Sequence, residues 1–203
     1  MTDEELDSFC RWISIGGVVL FPSDTVYGLA TAPDSEQGVR RLYALKGRPP
    51  ARPAAVMFFD LGLARRALPE LGRRTTEEVG RLLPGPLTLV LPNPGRRYPL
   101  ACGPEPERVG LRVPRLTGSL APLASMRLPI LQSSANRSGC ADARLLGEVD
   151  ELIRRGADLE LDGGELPGRP STVVDLTAYE KDGGHTVLRE GAASAEAGAA
   201  ARA

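Results

Sequence analysis

"FPSDTVYGLA", residues 21–30, is the stretch on which the reading of the fold turns. The apolar run before it, Val18 to Phe21, has the composition of a short buried strand. Pro22 ends that run, because proline has no N–H to give to a neighbouring strand. Ser23, Asp24, Thr25 and Tyr27 follow at once, ahead of Gly28. A plain connector needs one or two turn residues. So many polar groups at one strand end suit a pocket, because ligands in α/β folds bind where such ends converge.

Upstream, Thr2 and Glu5 fit a capping box. Leu6, Phe9, Cys10 and Ile13 recur at helical spacing and predict a helix with one apolar face, stopped at Gly16-Gly17. Downstream, "DSEQGVRRLYALK" (34–46) predicts a second helix, with Asp34 and Gln37 as its capping pair. Strands are expected at 54–59, 87–91, 109–113 and 129–134, and helices at 75–83 and 145–155. "LELD", "STVVDL" and "TVLRE" close the pattern as strands. Several strands adjoin with no helix between them. The expected class is therefore mixed α/β: a twisted, mostly mixed sheet flanked by helices. Residues 1–191 are expected to form a single domain. Segment 92–108, rich in Pro, Gly and Arg, reads as a long surface loop suited to a lid or binding segment. Residues 192–203 are low in complexity and expected to be a disordered tail.

The bulk numbers exclude several classes. With 203 residues, 42% hydrophobic and 25% charged, this is an ordinary globular composition. No apolar run approaches the roughly 18–20 residues that span a bilayer. The acidic N-terminus resembles no secretory signal. Cys10, Cys102 and Cys140 are odd in number and lack metal-ligand spacing, which reads as reduced thiols in the cytoplasm. A net charge of −1 does not advertise nucleic-acid binding. Lys46 and Lys181 are the two lysines; every other cation is arginine.

Polar clusters recur where strands end. "LKGRPPAR" sets Lys46, Arg48 and Arg52 in a proline-stiffened loop. Such a loop suits a polyphosphate, and equally a solvated helix C-terminus. "SSANRSG" offers Ser134 and Asn136 to a phosphate, a ribose or its own turn. Strand alternation in "VGLRVP" sends Gly110 and Arg112 to one side and Val109, Leu111 and Val113 to the other. Arg112 there suits either a carboxylate or a surface position, and Arg189 in "VLREG" is similar. "PGRPSTVVDL" places Ser171 at a strand start, and "LPGPLTLVL" reads as structural. His185, the single histidine, sits in an apparent turn and is expected to be exposed; it supports neither a Ser-His-Asp triad nor a His-rich zinc site. No Walker-type GxxxxGK[ST] occurs. Asp24, Asp162 and Asp175 are possible Mg²⁺ contacts that nothing fixes as ligands, so no metal site is assigned.

Taken in order, "FPSDTVYGLA", "LYALKGRP", "LPGPLTLVL", "VGLRVP", "SSANRSG", "DGG", "STVVDL" and "LREG" resemble the YrdC-like domain family of threonylcarbamoyl-AMP synthases. The resemblance spans roughly residues 14–191, with no room for the second domain of longer relatives. It implies a YrdC/RibB-like fold with a concave cationic cavity. It implies an enzyme, a nucleotidyltransferase that joins L-threonine, bicarbonate and ATP into threonylcarbamoyl-AMP and releases pyrophosphate, with Mg²⁺ accompanying ATP. A separate transferase complex would carry the product to tRNA. Lys46 and Arg48 would be catalytic. Lys46, Arg48, Arg52, Asn136 and Arg189 would hold ATP. Thr25, Arg112, Ser134 and Ser171 would hold threonine. The sequence departs from the family pattern at Met57, where many relatives carry histidine, and at Ser23, Leu83, Pro170 and 142–144. Most of these changes touch the amino-acid side. Two alternatives stay open: a related carbamoyl-adenylate-forming enzyme with another acceptor, and a non-catalytic module that binds structured RNA.

Overall fold

The structure is a computed structural model and describes residues 1–193. In chain order the elements are α1 (Asp3–Ser14), β1 (Val19–Pro22), β2 (Tyr27–Thr31), α2 (Glu36–Lys46), β3 (Ala55–Met57), α3 (Leu61–Ala67), α4 (Arg73–Leu82), β4 (Leu87–Pro92) and α5 (Pro99–Cys102). Then come β5 (Arg108–Arg112), a 3₁₀ helix (Gly118–Ser125), β6 (Ile130–Ser134), a 3₁₀ turn (Leu146–Glu148), α6 (Glu151–Gly156), β7 (Leu159–Glu160), β8 (Thr172–Asp175), α7 (Tyr179–Asp182) and β9 (Thr186–Arg189). The strands form one mixed sheet in the order β7-β1-β2-β6-β3-β5-β4-β8-β9.

The stretch 21–30 is a hairpin. Phe21 pairs with Gly28 and Pro22 with Tyr27, so residues 23–26 are its turn. Strand β2 was not foreseen. Gly28 and Ala30 weaken its pattern, yet all five of its residues are buried. Glycine suits 28, because a Cβ there would stand 3.1 Å from the Phe21 ring and 3.3 Å from the Ser133 carbonyl oxygen, closer than ordinary contact.

Other details differ from the sequence reading. Helix α2 is capped by Ser35, whose side chain accepts from the Gly38 N–H, not by Asp34 and Gln37. Helix α4 begins at Arg73; Thr75 lies inside it, where its N–H donates to Glu180 at 2.8 Å. The expected helix 145–155 is broken because Asp150 caps a fresh start, accepting from Leu152 N–H at 2.8 Å. Segment 92–108 is no free loop. It contains α5, and buried Asn93 ties it together by donating to the carbonyls of Arg97 (2.9 Å) and Pro106 (2.8 Å). Of the expected tail, Ala192 and Ala193 are tied to the start of β8 and the segment before it: Ala192 N–H donates to the Pro170 carbonyl, and Thr172 Oγ1 donates to the Ala193 carbonyl. The remainder, 194–203, lies outside the described residues.

One face of the sheet is covered along its length. Leu20, Leu29, Val56, Leu89, Leu111 and Leu131 pack there against Leu42 of α2, Val79 of α4 and Ile153 of α6. The opposite face is covered over half its area. Leu6, Phe9 and Ile13 of α1, with Leu120 and Leu123 of the 3₁₀ helix, seal Phe21, Ala30, Met57 and Ile130. Phe9 stacks on Phe21 with ring centres 5.4 Å apart. Each buried aromatic of this kind contributes about 1.5–3 kcal/mol by leaving water. The other half of that face is left open. Among the described residues no helix is long and apolar enough to cross a membrane.

Candidate active site

The open half-face is the floor of a cleft of about 350 Å³. Small residues make the floor: Gly28 on β2, Ala55 on β3 and Gly110 on β5. Polar side chains from the strand-end segments make the walls. Of the nine residues singled out from the sequence, Arg48, Arg112, Ser134, Ser171 and Arg189 line the cleft.

Arg112 is held from behind. As alternation predicts, Val109 and Leu111 enter the core and Arg112 turns to the cleft. Its Nη2 donates to Asp24 Oδ1 at 2.7 Å and to Thr25 Oγ1 at 3.2 Å. The side chains of Arg112 and Asp24 are 4% and 6% exposed. Burial lowers the Arg112 pKa, against the pull of Asp24. Burial also raises the Asp24 pKa, outweighing Arg112 and the Arg115 N–H that donates to its Oδ2. Arg112 Nε is buried with no partner. A guanidinium that borders a cleft is suited to a carboxylate or phosphate oxygen. Thr25 is fully buried behind Arg112, within 3.0 Å of Ser23 Oγ. The polar residues of the hairpin turn thus serve the cleft, directly through Ser23 and indirectly through Asp24 and Thr25.

Ser171 and Arg189 form the adjoining wall. Ser171 Oγ shares a 2.7 Å hydrogen bond with Thr88 Oγ1, and Arg189 Nη2 donates to the Ser171 carbonyl at 2.7 Å. Arg48 lies over the Tyr43 ring, 5.6 Å from its centre, and donates to the Pro53 carbonyl. Burial lowers its pKa; Tyr43 opposes and Arg52 reinforces that shift.

Lys46 stands behind the wall, not in it. Its Nζ is directed to the carbonyls of Ser134 and Asn136 and to Asn136 Oδ1. Those three acceptors match its three N–H donors, so in this structure Lys46 organises the "SSANRSG" turn. Burial, with Arg48 adding and Asp142 opposing, brings its pKa down to about 8. Asn136 also accepts from Ser134 Oγ and donates to the Cys140 carbonyl. Arg52 lies outside, exposed, with Nη1 3.5 Å from Ser138 Oγ.

The wall is built from segments spread across the whole chain in an order that a sequence profile can test. The Sua5, YciO and YrdC family profile, described as telomere recombination, matches residues 11–191. The chain belongs to this family. A threonylcarbamoyl-AMP synthase of Pyrococcus abyssi is 33% identical over 172 residues, covering 83% of this chain and 49% of that protein. The human threonylcarbamoyl-AMP synthase is 34% identical over 199 residues, covering 94% of this chain and 68% of that one. The crystal structure of P. abyssi Sua5 complexed with L-threonine matches with a TM-score of 0.79 at 29% identity, over 94% of this chain and 55% of that one. This member of the family thus spans about half the length of the Pyrococcus relatives.

In this Sua5/YciO/YrdC chain, sequence reasoning missed Thr88, Glu105, Arg108 and Gln132, all of which line the cleft. Alternation reveals two of them: Arg108 is two positions from Gly110, and Thr88 two from Val90. Arg108 is paired with Glu105 and Asp175. Asp24 pairs with Arg112, and Asp162 accepts from the Tyr27 hydroxyl at 2.9 Å. The three aspartates weighed as metal contacts are thus engaged separately. Among the described residues no group of three or more His, Cys, Asp or Glu side chains is gathered to hold a metal ion. Met57 is fully buried under α1 and does not line the cleft, and His185 is exposed as expected.

Proposed function

We propose that this chain is an L-threonylcarbamoyladenylate synthase, a nucleotidyltransferase that uses L-threonine, bicarbonate and ATP. The observation that carries the reading is the convergence of Arg48, Arg112, Ser134, Ser171 and Arg189 on one cleft, in a chain of this family. Residues 1–191 would act as one catalytic domain. The free cysteines favour a cytoplasmic setting.

In the proposed reaction the neutral amine of threonine takes up carbon dioxide derived from bicarbonate and becomes a carbamate. A carbamate oxygen attacks the α-phosphorus of ATP. The bond to the bridging oxygen breaks, and pyrophosphate leaves with that electron pair. No enzyme nucleophile is required. The chain supplies alignment and positive charge. Arg112, with Thr25 behind it and Ser171 and Ser134 beside the cleft, would hold the amino acid. Arg48 and Arg189 would meet the nucleotide, with Arg52 at the outer edge. Lys46 and Asn136 would fix the Ser134 turn, and Lys46 would reach phosphate only by exchanging a carbonyl partner. Mg²⁺ would arrive on the triphosphate. A separate transferase complex would move the threonylcarbamoyl group to tRNA.

The test is pyrophosphate release by purified protein with ATP, Mg²⁺ and bicarbonate, with and without L-threonine. The expected result is threonine-dependent release that falls at least about tenfold in Arg48→Ala, equivalent to about 1.4 kcal/mol. Release with other amines but not with threonine would replace the acceptor. No release with any acceptor would overturn the enzyme reading.

A further inference from the structure

The cleft floor is a row of small side chains with one exception. Gln132, Ala55 and Gly110 lie in register across β6, β3 and β5, and Val90 follows on β4. Three of these four cannot hydrogen-bond through a side chain. Gln132 can, and it is 7% exposed and lines the cleft. Its carboxamide makes no hydrogen bond to any described residue, and neither of its polar atoms is sealed away from the cleft.

Its polar neighbours differ. Thr88 is engaged by Ser171, Ser134 by Asn136, and Arg48 by its own loop. The Gln132 carboxamide alone is left free toward the cleft, where its partner is whatever occupies that space, water or a bound molecule.

Position narrows the partner. Gln132 is two residues before Ser134 on β6 and faces the same side. From Arg112 it is offset by two strands and one two-residue repeat, about 12 Å between Cα atoms from ordinary sheet spacings. Met57, which pairs with Arg112 on one side and Ile130 on the other, offers no hydrogen bond in between. Both Gln132 and Arg112 line the cleft, and a Cα separation of that order lies within the combined reach of two long side chains and one small amino acid between them. A carboxamide accepts at its oxygen and donates at its nitrogen. A hydroxyl also does both, at a single atom. A carboxylate can only accept and an ammonium can only donate.

We propose that Gln132 is a specificity-determining residue that reads a substrate hydroxyl, that of the amino acid's side chain. This rests on the synthase reading and deepens it: the cleft selects a β-hydroxy amino acid over its apolar isostere. The ribose of the nucleotide is the other source of a hydroxyl, and the test separates the two.

The experiment compares kcat/KM for threonine and valine, and separately for ATP and 2′-deoxy-ATP, in the wild type, Gln132→Met and Gln132→Ala. A site that hydrogen-bonds a hydroxyl discriminates against the isostere lacking it, whereas an apolar pocket does so weakly. The threonine-to-valine ratio is expected to fall at least about tenfold in Gln132→Met, with the change confined to the amino acid. Thermal melting checks that each variant folds, and Gln132→Ala serves if Gln132→Met does not. Calorimetric titration of threonine into the protein supplies a readout independent of turnover. Threonine-dependent turnover with an unchanged ratio sinks this inference alone. A change that falls instead on 2′-deoxy-ATP overturns the amino-acid assignment. Absence of any threonine dependence in the wild type overturns the synthase reading and this inference with it.

Discussion

Met57 and Ala55 are two residues apart on β3 and face the same way, yet they belong to different parts of the molecule. Met57 is sealed beneath α1 and the 3₁₀ helix, in a cluster with three phenylalanines. Ala55 is the floor of a cleft walled by arginines and serines. The covered half is large, apolar and paired with helices. The open half is small-floored, charged and left unroofed. The difference lies in side chains that would otherwise recruit a cover. Where Phe21, Met57 and Ile130 project, α1 has something to bury. Where Gly28, Ala55 and Gly110 lie, little apolar surface is on offer, and space remains for a ligand. One sheet face thus divides its labour between stability and binding.

The sharpest way to break this comparison is at Arg112, which belongs to the open half but is as buried as a core residue. Arg112→Leu leaves Asp24 without its cation and is expected to destabilise the fold by about 3–5 kcal/mol in urea unfolding. Adding Asp24→Asn should recover much of that stability and none of the activity. A single variant as stable as the wild type would mean that the pair contributes no structure.

The covered half gives a comparable loss in stability with a different signature. Phe9→Ala removes the ring that meets both Phe21 and Phe59. It is expected to cost about 3–5 kcal/mol, with the affinity for ATP little changed in the fraction that remains folded. Loss of affinity at unchanged stability would place Phe9 in the site. The converse is Ala55→Leu, which puts volume into the cleft where no core has to yield. Stability should stay within about 1 kcal/mol, while threonine-dependent turnover falls at least about 100-fold.

The smallest effect is electrostatic. Burial takes the Lys46 pKa from 10.5 down to about 8. Between those values the unfolded chain binds more protons than the folded one. The stability contributed at this residue therefore rises with pH from about 8 to 10.5 and is least below 8. The chain has two lysines, so carbon-13 labelling at lysine Cε gives two resonances, assigned with Lys181→Arg. The Lys46 resonance should titrate near 8; a midpoint near 10.5 would contradict the burial argument.

Much of this architecture was legible. The capping box at Thr2 and Glu5, the core-facing residues of β5 and the turn of Arg112 to the other side follow from local rules, and each appears in the fold. Strand β2 was hidden because Gly28 and Ala30 serve close packing and the cleft, at the expense of strand propensity. The paired roles of Asp24 and Lys46 were hidden for another reason. Asp24 meets Arg112 across 88 residues of chain, and Lys46 meets Asn136 across 90. Local spacing carries no trace of such partners. Gln132 was passed over because one glutamine in a strand is unremarkable until its neighbours are known to be Ala30 and Ala55.

The most direct test of the division between the halves is a two-dimensional amide NMR map of the 21.6 kDa chain, recorded with and without ATP, Mg²⁺ and L-threonine. The largest shifts are expected at Gly28, Ala55, Gly110, Gln132 and Arg112, with Phe9, Ile13, Ala32 and Met126 nearly still. Shifts centred on α1 and the 3₁₀ helix, or spread evenly over both halves, would contradict that division.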